Sequence, residues 1–306
     1  MTYALCGLRV ASELPLPELL PWSGEDRPAD IEIIIGDVPG RLEDPLHEGP
    51  LLRTARDGTC LYTIAGTASY LVEGGRRVTL QPHPGASAPT VRLFLLGSVF
   101  GFLCHQRGLL PLHAGCVEID GKAVAFAGHS GAGKSTLAAA FLRRGYHILA
   151  DDITVLDMTA PGGPLVLPSF PRIKLWRDAL EGMEIPFRDL ERIRPELEKY
   201  HLPVTAGFRS TALPLRALYH LKTAKDRRHA GEERLRGAMS MEALVDAVYR
   251  RMSAFRMGQR DAVMAALLRL MAVPGARLAR LMDIGQVDAT VMDIVARHGA
   301  GAGLPE

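Results

Sequence analysis

The 306-residue chain has few cysteines. Cys6, Cys60, Cys104 and Cys116 are scattered, and no two stand at a paired spacing. That pattern argues against a disulfide framework and a cysteine-based zinc site, and it fits a reducing, cytoplasmic setting. An excess of one charge is missing as well: 36 Lys and Arg face 34 Asp and Glu, for a formal net charge of +2. No general polyanion binder is indicated, so no nucleic-acid partner is expected. A long hydrophobic run is also lacking. The longest, residues 93–104, falls short of the ~20 residues a bilayer span needs, so no membrane segment is expected. Met1-Thr2-Tyr3 has no basic stretch ahead of an apolar one, and no export signal is read there. Internal repeats are absent, and the low-complexity tail after His298 is expected to be frayed.

What is present is ample apolar material, 47% of residues, enough for one large domain or two smaller ones. Within it, GHSGAGKS at residues 128–135 fits the P-loop pattern G-x-x-x-x-G-K-[ST] at every fixed position. The pattern assigns nucleotide contacts to Gly128, His129, Ser130, Gly131, Ala132, Gly133, Lys134, Ser135 and Thr136. Glycine allows the tight turn that lets backbone N–H groups reach phosphate oxygens. Lys134 supplies a mobile charge for the β- and γ-phosphates of ATP, and the Ser135 hydroxyl is suited to ligate magnesium. Residues 123–127 read as a buried strand entering the loop, and residues 136–144 read as a helix whose N-terminus adds its dipole to the cradle.

A second cluster flanks this loop. Residues 116–119 and 122–126 read as the two arms of a hairpin turned by Asp120-Gly121, so the P-loop strand is the second arm. His113 lies just before the first arm, either as a site residue or as a bystander. After the P-loop helix, residues 146–149 form another apolar run that ends in Asp151-Asp152. The order strand, loop, helix, strand predicts both carboxylates at the carboxyl edge of a neighbouring strand, where open α/β sheets bind ligands. One acid can support the metal and the other can accept the proton of an attacking hydroxyl; a simple Asp-Asp turn is the rival reading.

The rest of the chain carries less chemistry. Residues 1–90 contain short strand-like runs at 3–10, 31–35, 61–64, 70–72 and 77–80, punctuated by Pro and Gly, with Gly74-Gly75 as a hairpin turn. They predict a small β-rich N-terminal domain, with residues 91–306 forming the catalytic one. Residues 91–107 have helical spacing and are expected to link the two. Arg172 and Lys174 alternate with Ile173 and Leu175, so both cations project from one face, toward phosphate, an acidic partner or solvent. Residues 178–200, broken by Pro186 and Pro195, are expected to be short surface helices. Residues 215–222 read as a strand, and 225–236 as an exposed loop with a short return strand. Ser240 is expected to cap an amphipathic helix reaching Met252, followed by helices over 261–271 and 287–298.

With His113, GHSGAGKS and Asp151-Asp152 in order, the stretch resembles the HPr kinase/phosphorylase family. The later glutamate-arginine-glycine signature of that family is not found; the comparable region reads Pro171-Arg172-Ile173-Lys174-Leu175-Trp176. Over more of its length the chain resembles the HPr-kinase-like proteins of lasso peptide gene clusters. That likeness rests on Tyr3-Ala4-Leu5-Cys6-Gly7-Leu8, on Leu95-Leu96-Gly97-Ser98, and on the run from Gln106 through Pro111-Leu112-His113. The resemblance implies an α/β fold, with a P-loop kinase core of mixed sheet and helices behind the β-rich domain. It further implies ATP and Mg2+ as cofactors, and as acceptor a peptide or small protein, in particular the C-terminal serine of a lasso precursor peptide. Asp151, favoured as the base, Asp152, His113 and Lys134 are then catalytic, Ser135 and Asp152 hold the metal, and a homo-oligomer is compatible with the resemblance. An HPr serine kinase/phosphorylase and a non-catalytic nucleotide-binding regulator remain the alternatives. A transporter ATPase would carry an LSGGQ-type signature, which is absent, and shikimate-type kinases begin with the P-loop strand.

Overall fold

The computed structural model describes residues 1–194 and 196–299. Pro195 and the Gly-rich tail from residue 300 lie outside the described residues. The chain divides into two compact units: Met1–Pro111 with Val248–Leu267, and Leu112–Ala247 with the chain from Leu268 onward.

The first unit is built on a nine-stranded sheet. The run at 3–10 is two strands rather than one. Thr2–Leu5 and Leu8–Ser12 pair antiparallel, because Cys6 and Gly7 both turn at positive φ (54° and 74°). Ala68–Glu73 alternates buried and half-buried residues and pairs with Arg77–Pro82 across the Gly74-Gly75 turn. The apolar face is covered by a helix running through Ala88–Phe94, a π-helical turn at Leu95–Val99, and Phe100–Gln106. Tyr70 donates its hydroxyl to the Val91 carbonyl (2.8 Å), and Tyr62 meets Phe102 edge-on at 5.3 Å. These 19 residues are long and apolar enough to cross a membrane by length and composition, which the count of 93–104 alone does not reveal; 67% of the window is buried inside the fold.

This helix was expected to link two parts near residue 90, yet it belongs wholly to the first unit. Val248–Leu267 returns to the same unit, with the Tyr249 carbonyl 2.9 Å from His105 Nε2 and Thr54 donating to the Arg256 carbonyl (2.6 Å). Gly101 admits this return: a Cβ there would stand 2.9 Å from the Tyr249 ring. The single helix expected from Ser240 to Met252 is therefore broken. Gly237–Ala247 and Arg251–Arg256 are separate helices with Arg250 at φ 54° between them, and Ser240 sits inside the first instead of capping it.

The second unit holds the P-loop sequence. Its sheet runs Thr154–Asp157, Leu165–Leu167, Leu213–Thr223, Lys122–Ala127, Ala114–Ile119, Ile148–Ala150. Gly275–Arg280 pairs parallel to Leu213–Thr223, and Gly231–Arg234 pairs antiparallel to Gly275–Arg280. Lys122–Ala127 is flanked on both edges and buried from Ala123 onward, which explains its unbroken apolar run. Helix Lys134–Arg143 packs Leu137 and Phe141 onto it; the Phe126 ring stacks between Phe141 (5.6 Å) and Tyr219 (5.8 Å). The last helix, Val287–His298, completes this core through Val291 and Ile294. Among the described residues of 178–200 there is one short helix, Arg177–Gly182, and then Lys199–Pro203, which forms a two-stranded ribbon with Arg172–Trp176.

Candidate functional site

Strand Lys122–Ala127 delivers the chain into the glycine loop, where Gly128, Gly131 and Gly133 have φ of 155°, 84° and 83°. An L side chain is strained at such angles. At Gly133, moreover, a Cβ would collide with the Arg280 guanidinium, and at Gly128 it would lie 3.0 Å from the Leu221 carbonyl. Gly133 is the N-cap of helix Lys134–Arg143 and provides no side-chain cap, so the first N–H groups of the helix are left to meet an anion.

Lys134 folds back into this loop. Its Nζ donates to the Gly128 carbonyl (2.7 Å) and the His129 carbonyl (3.1 Å) and reaches His113 Nε2 at 3.1 Å. An ammonium is only a donor, so Nε2 accepts and the His113 proton sits on Nδ1, which faces the Asp152 carbonyl at 3.1 Å. Burial, then the Lys134 charge, hold the imidazole pKa below its ordinary value. Lys134 is itself pushed down by burial, against the upward pull of Asp152 and Asp151.

The two carboxylates differ. Asp152 faces the cavity, with Oδ2 2.8 Å from Lys174 Nζ and Oδ1 3.4 Å from His113 Nδ1. Burial works to raise its pKa, but Lys174, His113 and Lys199 outweigh burial and hold it well below the carboxylate range. Asp151 is turned inward and only 4% exposed. Burial and the Asp152 charge lift its pKa to about 6, partly opposed by the Lys174 backbone N–H and the Ser135 hydroxyl. The Lys174 N–H bonds Asp151 Oδ2 at 2.8 Å, so one residue of strand Arg172–Trp176 fastens both acids.

Apart from Gly128 and the inward-turned Asp151, which do not line it, these groups border a cavity of about 700 Å³, within the size range of small-molecule sites. His113, Ser130, Gly131, Gly133, Lys134, Ser135, Thr136 and Asp152 line it; His129 contributes its carbonyl to Lys134, and Ala132 is buried behind the loop. Lys174 lies on the wall, whereas Arg172 is not among the lining residues. The expected strand order needs one correction. Ile148–Ala150, which leads into the acids, does not neighbour the P-loop strand: Ala114–Ile119 lies between and pairs with both. The carboxylates still reach the carboxyl edge, one strand further away. Sequence reasoning missed Lys199, Arg280 and the rim formed by Trp176 and Met282. Lys199 sits on a strand hidden in a charged segment, its Nζ 5.5 Å from the centre of the Trp176 ring. Arg280 ends a strand whose only signal was the Pro274-Gly275 punctuation before it.

Magnesium fits these donors. It keeps several waters and binds through one or two carboxylates plus phosphate oxygens, not in an all-protein cage. Among the described residues no cluster of three or more His, Cys, Asp and Glu offers such a cage, while Ser135 and the acid pair sit beside the cradle.

No protein-family model matches the chain. An 81-residue stretch is 37% identical to the HPr kinase/phosphorylase of Azoarcus sp. (strain BH72). That stretch is 26% of this chain and spans about a quarter of the relative, 24% of its length. The HPr(Ser) kinase/phosphatase from Coxiella burnetii aligns at a TM-score of 0.34 and 12% identity, over 61% of this chain and 88% of that one. The sequence match gives weak homology to HPr kinase/phosphorylase, confined to that 81-residue stretch.

Proposed function

We propose that the chain is an ATP-dependent kinase that transfers the γ-phosphate to a serine hydroxyl of a peptide or small protein. The observation that carries this is the chain of contacts from Lys134 through His113 to Asp152 and Lys174, on the wall of the cavity that the glycine loop lines. In the reaction the serine oxygen bonds to the γ-phosphorus as the bond to the β–γ bridging oxygen breaks. ADP leaves, and the hydroxyl proton passes to a carboxylate. The transition state is loose, so positioning and charge stabilisation matter more than strong base catalysis. An ionised Asp152 facing the cavity suits this acceptor side even with a low pKa. Asp151, buried beside Ser135, suits the metal side. This reverses the order favoured from sequence, in which Asp151 was the base. Magnesium, when bound, would neutralise charge on the β- and γ-phosphates, held by Ser135 with Asp151. Lys134 stabilises the charge that grows on the transferred group, and neutral His113 keeps Lys134 and Asp152 in register.

For the acceptor, the resemblance to kinases of lasso peptide clusters supports a serine at the C-terminus of a precursor peptide. The sequence similarity to HPr kinase/phosphorylase supports HPr as a second candidate. The test is mass spectrometry of both acceptors after incubation with the protein and Mg-ATP. A mass gain of one phosphate on serine supports the reading. Nucleotide binding with no phosphorylation of either acceptor would favour a regulator.

A further inference from the structure

Arg280 is 7% exposed, yet it is charged and lines the cavity. Its Nη2 donates to the Gly133 carbonyl (2.9 Å) and the Ala132 carbonyl (3.3 Å), while Nε is buried with no hydrogen-bond partner. No carboxylate pairs with it among the salt bridges of the described residues, and burial pulls its pKa below the ordinary arginine value. A buried guanidinium satisfied only in part costs stability, because desolvation outweighs two bonds to neutral carbonyls. The fold also gives up a side chain at Gly133 to make room for it.

Its position gives the cost a use. Arg280 ends the strand that pairs with Leu213–Thr223, on one side of Lys122–Ala127; Asp151 and Asp152 follow Ile148–Ala150 on the other. Phosphates laid across the cradle therefore run between an acid-and-lysine wall and an arginine wall. In the kinase reading, on which this inference rests, the transferred phosphate must lie at the carboxylates. We infer that Arg280 is a ligand-binding residue for the phosphates that stay behind, the α- and β-phosphates of the nucleoside triphosphate and of its diphosphate product. Its planar fork meets phosphate oxygens through two N–H groups, which the ammonium of a lysine does not do.

The test is ADP and ATP binding by calorimetry, with thermal unfolding of the same samples, for wild type, Arg280→Met and Arg280→Lys. Methionine fills a similar volume without charge. The expected result is a loss of about tenfold or more in affinity, alike for ADP and ATP, as for one charge-assisted bond. Lysine should restore only part of it. Ligand-free Arg280→Met should melt no lower than wild type, and its stabilisation by ADP should shrink. A brace for the loop behaves differently: the ligand-free melting point falls. Unchanged ADP affinity in Arg280→Met, or a loss confined to ATP, overturns the inference while leaving the kinase reading intact. A folded wild-type protein that binds neither nucleotide overturns both.

Discussion

Asp151→Asn probes a carboxyl group that the fold keeps where ionisation is costly. Asp151 is 4% exposed, and burial beside the Asp152 charge moves its pKa from 3.8 to about 6. A carboxyl whose folded-state pKa exceeds its unfolded value holds a proton in the folded state that the unfolded chain has released. Folding stability therefore falls as pH rises from about 4 to about 6, and above that the loss is complete. Two pH units at 1.36 kcal/mol each make the loss about 3 kcal/mol. Asparagine has the same shape, keeps an oxygen for the Lys174 N–H, and carries no charge. At pH 7.5 the ligand-free variant should then be more stable than wild type by about 2–3 kcal/mol, a gap that closes toward pH 4. Urea unfolding of both proteins across pH 4 to 8 reads this out. A variant less stable than wild type at pH 7.5, or a gap that does not change with pH, refutes the reasoning. The same variant should lose phosphoryl transfer by on the order of a hundredfold if the carboxylate supports the metal. A gain in stability coupled to a loss of activity is the mark of a site kept at the expense of the fold.

Other expectations follow from the same geometry. Lys134→Ala should abolish phosphoryl transfer in a radiolabel assay, since its charge bears on the transition state; wild-type turnover would show that the loop is misread. Lys174→Met removes the closest cation from Asp152, so its depressed pKa should rise. The stability that ionised Asp152 contributes above its unfolded pKa, and loses as pH falls, should then shrink, shifting the acid-unfolding midpoint upward, with a cost of about 1–2 kcal/mol at neutral pH for this partly exposed pair. Gly133→Ala combines a left-handed φ with a collision at Arg280, and should cost about 1–2 kcal/mol of stability and weaken ADP binding measured by titration. In His113→Gln, the amide can bridge Lys134 and Asp152 only in part; kcat should fall while ADP affinity stays within a few-fold, and an unchanged kcat would make His113 a bystander.

Local signals were the readable ones. The glycine loop, its strand and its helix follow one another in sequence, so pattern and geometry coincide there. Asp151 and Asp152 were placed at the right edge, but the intervening arm Ala114–Ile119 was not foreseen as a spacer, because strand order depends on pairing between distant segments. Lys199 and Arg280 come from strands paired far along the chain, and no residue near them in sequence marks them as cavity groups. The return of Val248–Leu267 was hidden for a related reason: an amphipathic pattern shows that a helix is buried, not which sheet buries it. Arg250 at positive φ marks the break, and nothing about an arginine announces that conformation.

That return has a consequence for how the protein is made. Synthesis runs from the N-terminus, and domains generally fold as units as they emerge. Here the large sheet of the first unit is complete early, but its last helices are not available until Leu267 has been added. The second unit, begun at Leu112, waits longer still for Gly275–Arg280 and Val287–His298. The first half cannot be finished before the second is begun, and a ribosome stalled between residues 112 and 267 leaves two open cores. The nascent chain thus carries exposed strand edges and apolar helices for most of its elongation.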